Sequence, residues 1–276
     1  MDEKLHTKII EDIEKTGFGS EMRALQVFRA ADCECYVGQG YMDLDENKTR
    51  EIDIVACKMK RGEARLLGDF FIIAEVKKTA SPWVIIRQNL QEWESVDAWN
   101  NIILWDYLPE FSREQREAIT AAMSVGSLMV ENNWKGVGIH QSFKDPDSPS
   151  RWYSAFTAVC KATEDTLEKE KAGEEEGRPI ADAGWSPSSF NLFQPLVIVD
   201  GMLVGTQLSS RGEVEVREID SAAFNFTYAS KAYTRGDYRV DVVTLKGLKK
   251  YLKLVERRQD AVFQAVAKHA GLSSKT

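Results

Sequence analysis

The amino-acid sequence predicts an α/β protein in which a mixed β-sheet core is flanked by helices and extended by a β-rich C-terminal part. Three observations predict this class. The first half of the chain passes from helical periodicity to three strand-like segments and back to helices. The second half repeats that order with more strands. The composition, with 43% hydrophobic and 29% charged residues, is that of an ordinary globular protein.

Four helices are predicted in the first half of the chain. Leu5, Ile9 and Ile13 recur at four-residue spacing, which indicates an amphipathic helix at the N-terminus. Pro82 follows the capping residue Ser81, and proline is favoured at the first position of a helix. The four predicted helices cover residues 4–15, 21–31, 83–99 and 112–123.

Three strand-like segments lie between the second and the third of these helices. They are rich in β-branched and aromatic residues, and polar turns or glycines separate them. We therefore predict strands over residues 33–41, 50–58 and 69–77.

The second half is predicted to contain a long helix, a polar loop, five strands and a closing helix. The helix covers residues 149–173 and becomes highly charged towards its end. Residues 173–189 are polar and contain Pro and Gly, which predicts a mobile acidic loop. The strands are expected over residues 193–201, 202–208, 213–219, 224–230 and 238–244, and the last helix over 245–270.

We interpret the chain as one elaborated domain of 276 residues. Its core would cover about residues 1–145, the long helix and loop about 150–190, and the additional strands and terminal helix 191–276. A division into two domains near residue 180 is the alternative, since a chain of this length suffices for either.

Charge, cysteine content and hydropathy exclude several classes of protein. The net charge of −7 argues against a protein held on nucleic acid by overall charge, although a local basic surface would suffice for an enzyme. Four cysteines and three scattered histidines indicate neither a disulfide framework nor a structural zinc site. The sequence shows no membrane span and a charged, helical N-terminus, so we expect a cytoplasmic protein with no membrane partner.

Charged residues interrupt two of the predicted strands. Side chains alternate across a strand, so Glu75 and Lys77 share one face of the third strand, about 7 Å apart. Asp53 is an acid in the otherwise apolar second strand, where Ile52 and Ile54 should share the opposite face. If these strands are hairpin neighbours, Asp53 and Glu75 converge.

A third acid is placed by helical spacing. Glu21 lies at the N-terminal end of an apolar stripe that should face the sheet. Three carboxylates and one lysine would be costly to bury without compensation, and a divalent cation offsets that cost. Magnesium takes a few carboxylates plus waters, polarises a phosphoryl group and acidifies a bound water. These are the requirements of phosphodiester hydrolysis.

This pattern of a helix Glu, a strand Asp and a strand Glu-x-Lys resembles the PD-(D/E)XK nuclease superfamily, which has the restriction-endonuclease-like fold. The resemblance covers roughly residues 19–100 and rests on "GSE", "EIDIVA" and "IIAEVKK". Asp53 matches the aspartate of the first half-motif, although Ile52 stands where the motif has proline. Glu75 and Lys77 match the second half-motif, and Glu21 matches the helix acid.

The resemblance implies a role for each matched residue. Asp53, Glu75 and the main-chain carbonyl of Val76 would bind Mg²⁺, for which Mn²⁺ would substitute. Lys77 would assist the attacking water, and Glu21 would support the site or a second metal.

The resemblance also implies a substrate and partners. It favours a bacterial DNA endonuclease of a defence or repair type, acting on DNA rather than RNA, often as a homodimer or with a partner protein. Some members carry a glutamine on the helix after the third strand, and Gln88 or Gln91 is the candidate for that position.

Each signal has a simpler interpretation. Glu-x-Lys alone is common, and Glu46-Asn47-Lys48 repeats it in a polar turn. Glu75 and Lys77 could form an ion pair at a sheet edge. Glu21 could simply be an acidic residue stabilised by the positive end of the helix dipole. The alternative function is a binding or assembly subunit that keeps the fold without cleaving, or a nuclease that needs a partner or signal for activation.

Overall fold

The computed structural model describes residues 1–62, 66–90, 103–106, 111–143, 150–180 and 189–271. The helices in these ranges are α1 (Glu3–Thr16), α2 (Phe18–Arg29), α3 (Arg113–Met123), α4 (Leu128–Asn132), α5 (Arg151–Ile180) and α6 (Leu248–His269). The strands are β1 (Glu34–Asp43), β2 (Lys48–Arg61), β3 (Leu67–Lys78), β4 (Trp83–Asn89), β5 (Ile103–Asp106), β6 (Trp134–Gln141), β7 (Ser189–Asp200), β8 (Leu203–Leu208), β9 (Val214–Ile219), β10 (Ser221–Thr227) and β11 (Asp237–Thr244).

These strands form one large mixed sheet. Its order is β1-β2-β3-β7-β11-β10-β6-β4-β8-β9, and β5 pairs with β7. The strands β1, β2 and β3 form an antiparallel meander, whereas β7 runs parallel to β3 over the full length of both strands. A strand from the second half of the sequence thus lies directly beside the strand that carries Glu75.

Helices cover both faces of the sheet. On one face, α5 packs through Phe156 and Val159 into the cluster that contains Ile73. On the other face, α2 packs through Phe28 into the cluster that contains Ala74, and the first half of α6 joins it. The second half of α6 and α3 enclose a third cluster. The prediction of a mixed sheet flanked by helices is confirmed.

Most predicted elements lie within a few residues of their expected bounds, as α1, α2, α3, α6, β1 to β3 and β7 to β11 show. The helix α3 begins with a capping box, in which Ser112 and Gln115 each bond the other's backbone N–H. The helix α1 has no buried residue, and Leu5, Ile9 and Ile10 are 51%, 42% and 48% exposed. Its amphipathic stripe therefore lies outside the core of the chain.

The prediction of a helix over residues 83–99 is wrong for its described part. Residues Trp83–Asn89 form β4, which pairs with β6 and β8. Trp83 and Ile85 are fully buried, while Ile86 is 49% exposed, so burial follows the two-residue period of a strand. The continuous apolar run fits either period, and tertiary pairing decided between them. Residues 91–99 lie outside the described ranges.

A further prediction is corrected. The loop predicted over residues 173–189 is helical as far as Ile180, where α5 ends, because the glutamates at its start favour helix. Residues 181–188 lie outside the described ranges. The strand β6 was not predicted, since Gly136 weakens its strand pattern. A Cβ at Gly136 would lie 2.3 Å from the Phe224 ring, so only glycine admits this packing.

Across the described ranges, no helix combines the length and the apolar content needed to cross a membrane.

Candidate active site

The pleat of β2 is interrupted at Asp53. Ile52 and Ile54 pack into clusters on opposite faces of the sheet, which corrects the prediction that they share one face. In the register with β1, the residue opposite Asp53 is Gly38, whose φ of +62° lies in the left-handed region. Both strands therefore lose their alternation at the same position, and the half-buried Asp53 side chain stands at this irregularity.

The strands β2 and β3 are antiparallel neighbours, so the condition for convergence of Asp53 and Glu75 is met. Their backbone pairing ends at Ile54 and Ala74, one position before Asp53 and Glu75. Beyond that point the Asp53 side chain takes the place of a backbone hydrogen-bond partner. The Val76 N–H donates a hydrogen bond of 2.7 Å to Asp53 Oδ2. Asp53 is thereby fixed beside the Glu75-Val76-Lys77 segment.

Glu75 is a buried carboxylate that is only partly paired. It is 8% exposed, and its Oε1 forms an ion pair with the Lys77 ammonium. Its Oε2 is buried and has no hydrogen-bond partner in the described part of the chain. Burial above all, and then the Asp53 charge, raises the pKa of Glu75 to about 7, against the opposing effect of Lys77. Burial also raises the pKa of Asp53, which the Val76 N–H and Lys77 oppose.

Glu21 lies near this group without joining it. It stands half-buried in the first turn of α2. Burial and, next, the Asp53 charge raise its pKa, while Lys77 lowers it, so Glu21 is within electrostatic range of both. Among the residues that the structure describes, no hydrogen bond or ion pair links Glu21 to Asp53, Glu75 or Lys77. The structure therefore brings together Asp53, Glu75 and Lys77, and leaves Glu21 further out.

The site suits a hydrated ion better than a closed metal cage. Within the described ranges, no three His, Cys, Asp or Glu side chains are arranged to hold a metal ion. Magnesium, however, is commonly bound by only one or two carboxylates and keeps several waters. Asp53 and the unpartnered Oε2 of Glu75 offer such a pair. The donor set is all oxygen, which fits Mg²⁺ or Mn²⁺ and not a soft thiolate-bound metal.

Of the two glutamine candidates, Gln88 does not lie where the prediction placed it. Gln88 is exposed on β4, opposite Lys135 of β6, and not on a helix after β3. Four strands separate β3 from β4 in the sheet order. Gln91 lies outside the described residues.

A cleft of about 670 Å³ opens beside Glu75 and Lys77. One wall is the end of β1, the turn after it and the start of β2; the other wall is one face of α5. Besides Glu75 and Lys77, its lining residues are Tyr41, Asp43, Glu46, Lys48, Thr49, Arg50, Glu51, Tyr153, Ser154, Thr157, Ala158 and Lys161.

Ion pairs fix the turn of the β1–β2 hairpin against α5. Lys161 is 8% exposed and contacts Asp43 at 2.6 Å and Asp45 at 2.9 Å. Tyr228 and Ser230, which follow β10, donate hydrogen bonds to Asp45. This network buries a lysine between two carboxylates and joins three separate parts of the chain, so the two walls of the cleft are held at a fixed spacing.

Sequence reasoning missed two residues of this region. Lys161 carried a usable signal, because it is a charged residue inside the apolar helical run "AVCKAT". Tyr41 carried none, since tyrosine in a strand is common. Tyr41 lines the cleft, and burial and then the charge of Glu75 raise its pKa to about 12.

Comparisons with models of protein families, with curated protein sequences and with solved structures found no match to this chain. The likeness to PD-(D/E)XK nucleases therefore rests on the motif residues alone and stays a prediction.

Proposed function

We propose that this chain is a divalent-metal-dependent nuclease with a restriction-endonuclease-like core, which hydrolyses phosphodiester bonds. The observation that carries the proposal is the Glu75 carboxylate. It is buried, one oxygen contacts Lys77, the other has no partner, and Asp53 is fixed beside it. A buried acid with incomplete pairing next to a second acid is unfavourable unless a ligand compensates it, and such groups cluster at functional sites.

Each residue has a role in this proposal. Asp53 and Glu75, with the main-chain carbonyl of Val76, would hold Mg²⁺ or Mn²⁺. The bound ion supplies a polarised phosphoryl group and a more acidic water. Lys77 orients the attacking water and stabilises the negative charge that develops on the phosphate. Glu21, within electrostatic range of Asp53, keeps the site negative enough to attract a cation.

The substrate and the biological role follow from the motif resemblance. We propose DNA rather than RNA, a bacterial defence or repair role, and action as a homodimer or with a partner protein. We propose a cytoplasmic location from the charged, helical pattern of the N-terminal residues and from the lack of a membrane-length apolar run.

A cleavage panel tests the proposal. The purified chain is incubated with plasmid DNA and with RNA, in Mg²⁺ and in EDTA. We expect cleavage in Mg²⁺ only, and a loss of about 100-fold or more in rate for Lys77→Ala. Lys78→Ala is the matched control, since Lys78 contacts Glu14 of α1 instead. Equal rates for the two variants would contradict the role of Lys77.

A second candidate is a subunit that does not cleave alone, or a nuclease that a partner activates. The exposed apolar stripe of α1 favours it, because Leu5, Ile9 and Ile10 would gain from burial against another chain. Absence of cleavage by the pure protein on every substrate of the panel would favour this candidate over the first.

A further inference from the structure

We propose that the cleft beside Glu75 and Lys77 binds an unpaired DNA strand, with a base stacked on Tyr153 and a phosphate near Lys48. This inference rests on the proposed nuclease function and specifies its substrate. It is argued from the size of the cleft, the fixation of its walls, its aromatic residue and its charge.

The size of the cleft suits one or two nucleotides. Its volume of about 670 Å³ lies in the range of sites that enclose a single small molecule. Proteins that bind duplex DNA specifically bury roughly 1,000–2,500 Å² of their own surface, spread along the helix. A single strand can enter the cleft with its backbone and one base, whereas the paired bases of a duplex would remain outside.

The walls of the cleft are fixed at their spacing. The contacts of Lys161 with Asp43 and Asp45 join α5 to the β1–β2 hairpin, and Lys169 donates a hydrogen bond of 2.9 Å to the Gly40 carbonyl further along the same wall. Opening the cleft to the width of a duplex would break a buried ion pair, which is strongly unfavourable.

Tyr153 supplies a surface for stacking. It lines the cleft on α5 and is 47% exposed. Edge contacts with Trp152 and Phe226, at ring separations of 5.7 and 5.8 Å, hold its ring in place. Stacking on such an aromatic ring is the usual way in which proteins take up unpaired bases without reading their sequence.

The charge of the cleft makes binding of a DNA strand dependent on a divalent cation. The cationic side chains among its lining residues are Lys48, Arg50, Lys77 and Lys161, and the carboxylates are Asp43, Glu46, Glu51 and Glu75. These four positive and four negative charges cancel, so the cleft alone does not attract phosphate. A divalent ion at Glu75 makes it positive. Only two or three phosphates then lie near cations, so the dependence of affinity on salt should be shallow.

Fluorescence anisotropy tests this inference by binding alone. The probes are a labelled 12-nucleotide single strand of mixed sequence and the duplex of the same sequence, with Ca²⁺ in place of Mg²⁺ to prevent cleavage. We expect the single strand to bind at least about 10-fold more tightly than the duplex, and EDTA to weaken it by a similar factor. The slope of log K against log salt should be about −2.

Variants identify the residues that bind the strand. Tyr153→Ala should weaken single-strand binding about 10-fold, and Tyr153→Phe should restore it, because phenylalanine keeps the stacking surface. Tyr36→Ala is the matched control, since Tyr36 is 43% exposed and lies on β1 away from the cleft lining. Lys48→Ala should make the slope of log K against log salt less negative by about 0.7, and Lys246→Ala should leave it unchanged.

Duplex binding as tight as single-strand binding, or equal affinities for Tyr153→Ala and Tyr36→Ala, would overturn the inference. Its failure is distinct from failure of the nuclease proposal. Tyr153-dependent strand binding without cleavage in Mg²⁺ would keep the subsite and remove the nuclease. Duplex cleavage at an unchanged rate by Tyr153→Ala would keep the nuclease proposal and remove the single-strand subsite.

Discussion

At the scale of single residues, the buried Glu75 carboxylate lowers the stability of the fold. Burial and the nearby Asp53 raise its pKa to about 7, and one of its oxygens has no partner among the described residues. A shift from the ordinary value of 4.5 to about 7 corresponds to about 3 kcal/mol of unfavourable free energy when the group is charged. Native proteins keep such groups where function needs them.

Glu75→Gln should therefore stabilise the metal-free protein at alkaline pH. Because the folded pKa of Glu75 exceeds the unfolded value, the penalty is complete above about pH 7 and vanishes below about pH 4.5. We expect the variant to gain about 1–3 kcal/mol at pH 8, reduced by the lost ion pair with Lys77, and almost nothing at pH 4.5. Urea unfolding at both pH values measures the difference.

Glu51→Gln is the control for that measurement, since Glu51 is exposed on the same strand as Asp53. It should change stability by less than about 0.5 kcal/mol at either pH. A gain for Glu75→Gln that is the same at pH 4.5 and pH 8 would show that the charge of Glu75 is not the cause.

At the scale of elements, the irregularity shared by β1 and β2 sets the position of Asp53. Gly38 adopts a left-handed φ of +62°, and Ile52 and Ile54 turn to opposite faces beside it. A Cβ at Gly38 would meet no atom within 4 Å, so the backbone conformation, and not space, requires glycine there.

Gly38→Ala should destabilise the protein by about 1 kcal/mol, because alanine resists the left-handed region. Gly40→Ala, two residues along the same strand, should be neutral or slightly stabilising, because its nearest contact is an ordinary 3.4 Å to a Thr49 methyl. Chemical denaturation of both variants measures the two effects. A Gly38→Ala protein as stable as Gly40→Ala would contradict the need for a left-handed backbone at this position of β1.

The strands β2 and β3 were identified because their segments are rich in β-branched and aromatic residues and lie between polar turns or glycines. Trp83–Asn89 was predicted as a helix because a capping serine and a proline precede an apolar run, and only its pairing with β6 and β8 makes it a strand. Tertiary contacts of this kind leave no local signal.

The difference between local signals and tertiary contacts also explains how much of the site was predictable. Asp53, Glu75 and Lys77 lie on two adjacent strands with a short separation in sequence, so strand geometry alone could bring them together. The cleft could not be predicted, because its second wall is α5, more than a hundred residues beyond β1, and Lys161 pairs with Asp43 across that interval.

At the scale of the whole molecule, a buried charge network joins the sheet to the helices around it. Asp241 of β11 contacts Arg239 at 3.5 Å and accepts a hydrogen bond of 2.9 Å from Tyr251 of α6. Arg258 of α6 donates to Gln194 of β7 at 2.7 Å. Asp241 is fully buried and Arg239 and Arg258 nearly so, and burial, the largest influence, lowers the pKa of Arg239.

Asp241→Ala should destabilise the fold by about 3–5 kcal/mol, because it leaves the buried Arg239 guanidinium without its carboxylate. Glu117→Ala is the surface control, since its partner Arg113 has a side chain that is 92% exposed, and it should change stability by less than about 0.5 kcal/mol. Thermal or urea unfolding gives both values. Similar effects for the two variants would show that the network contributes no more than a surface pair.

The most direct test of the central claim compares two aspartates in a single-turnover cleavage assay. Asp53→Asn removes a proposed ligand, while Asp69→Asn makes the same change at a half-buried position on β3 outside the site. We expect Asp53→Asn to lower the Mg²⁺-dependent rate by about 100-fold or more and Asp69→Asn to leave it near that of the unmodified chain. Cleavage by Asp53→Asn at the rate of Asp69→Asn would contradict the assignment of the active site.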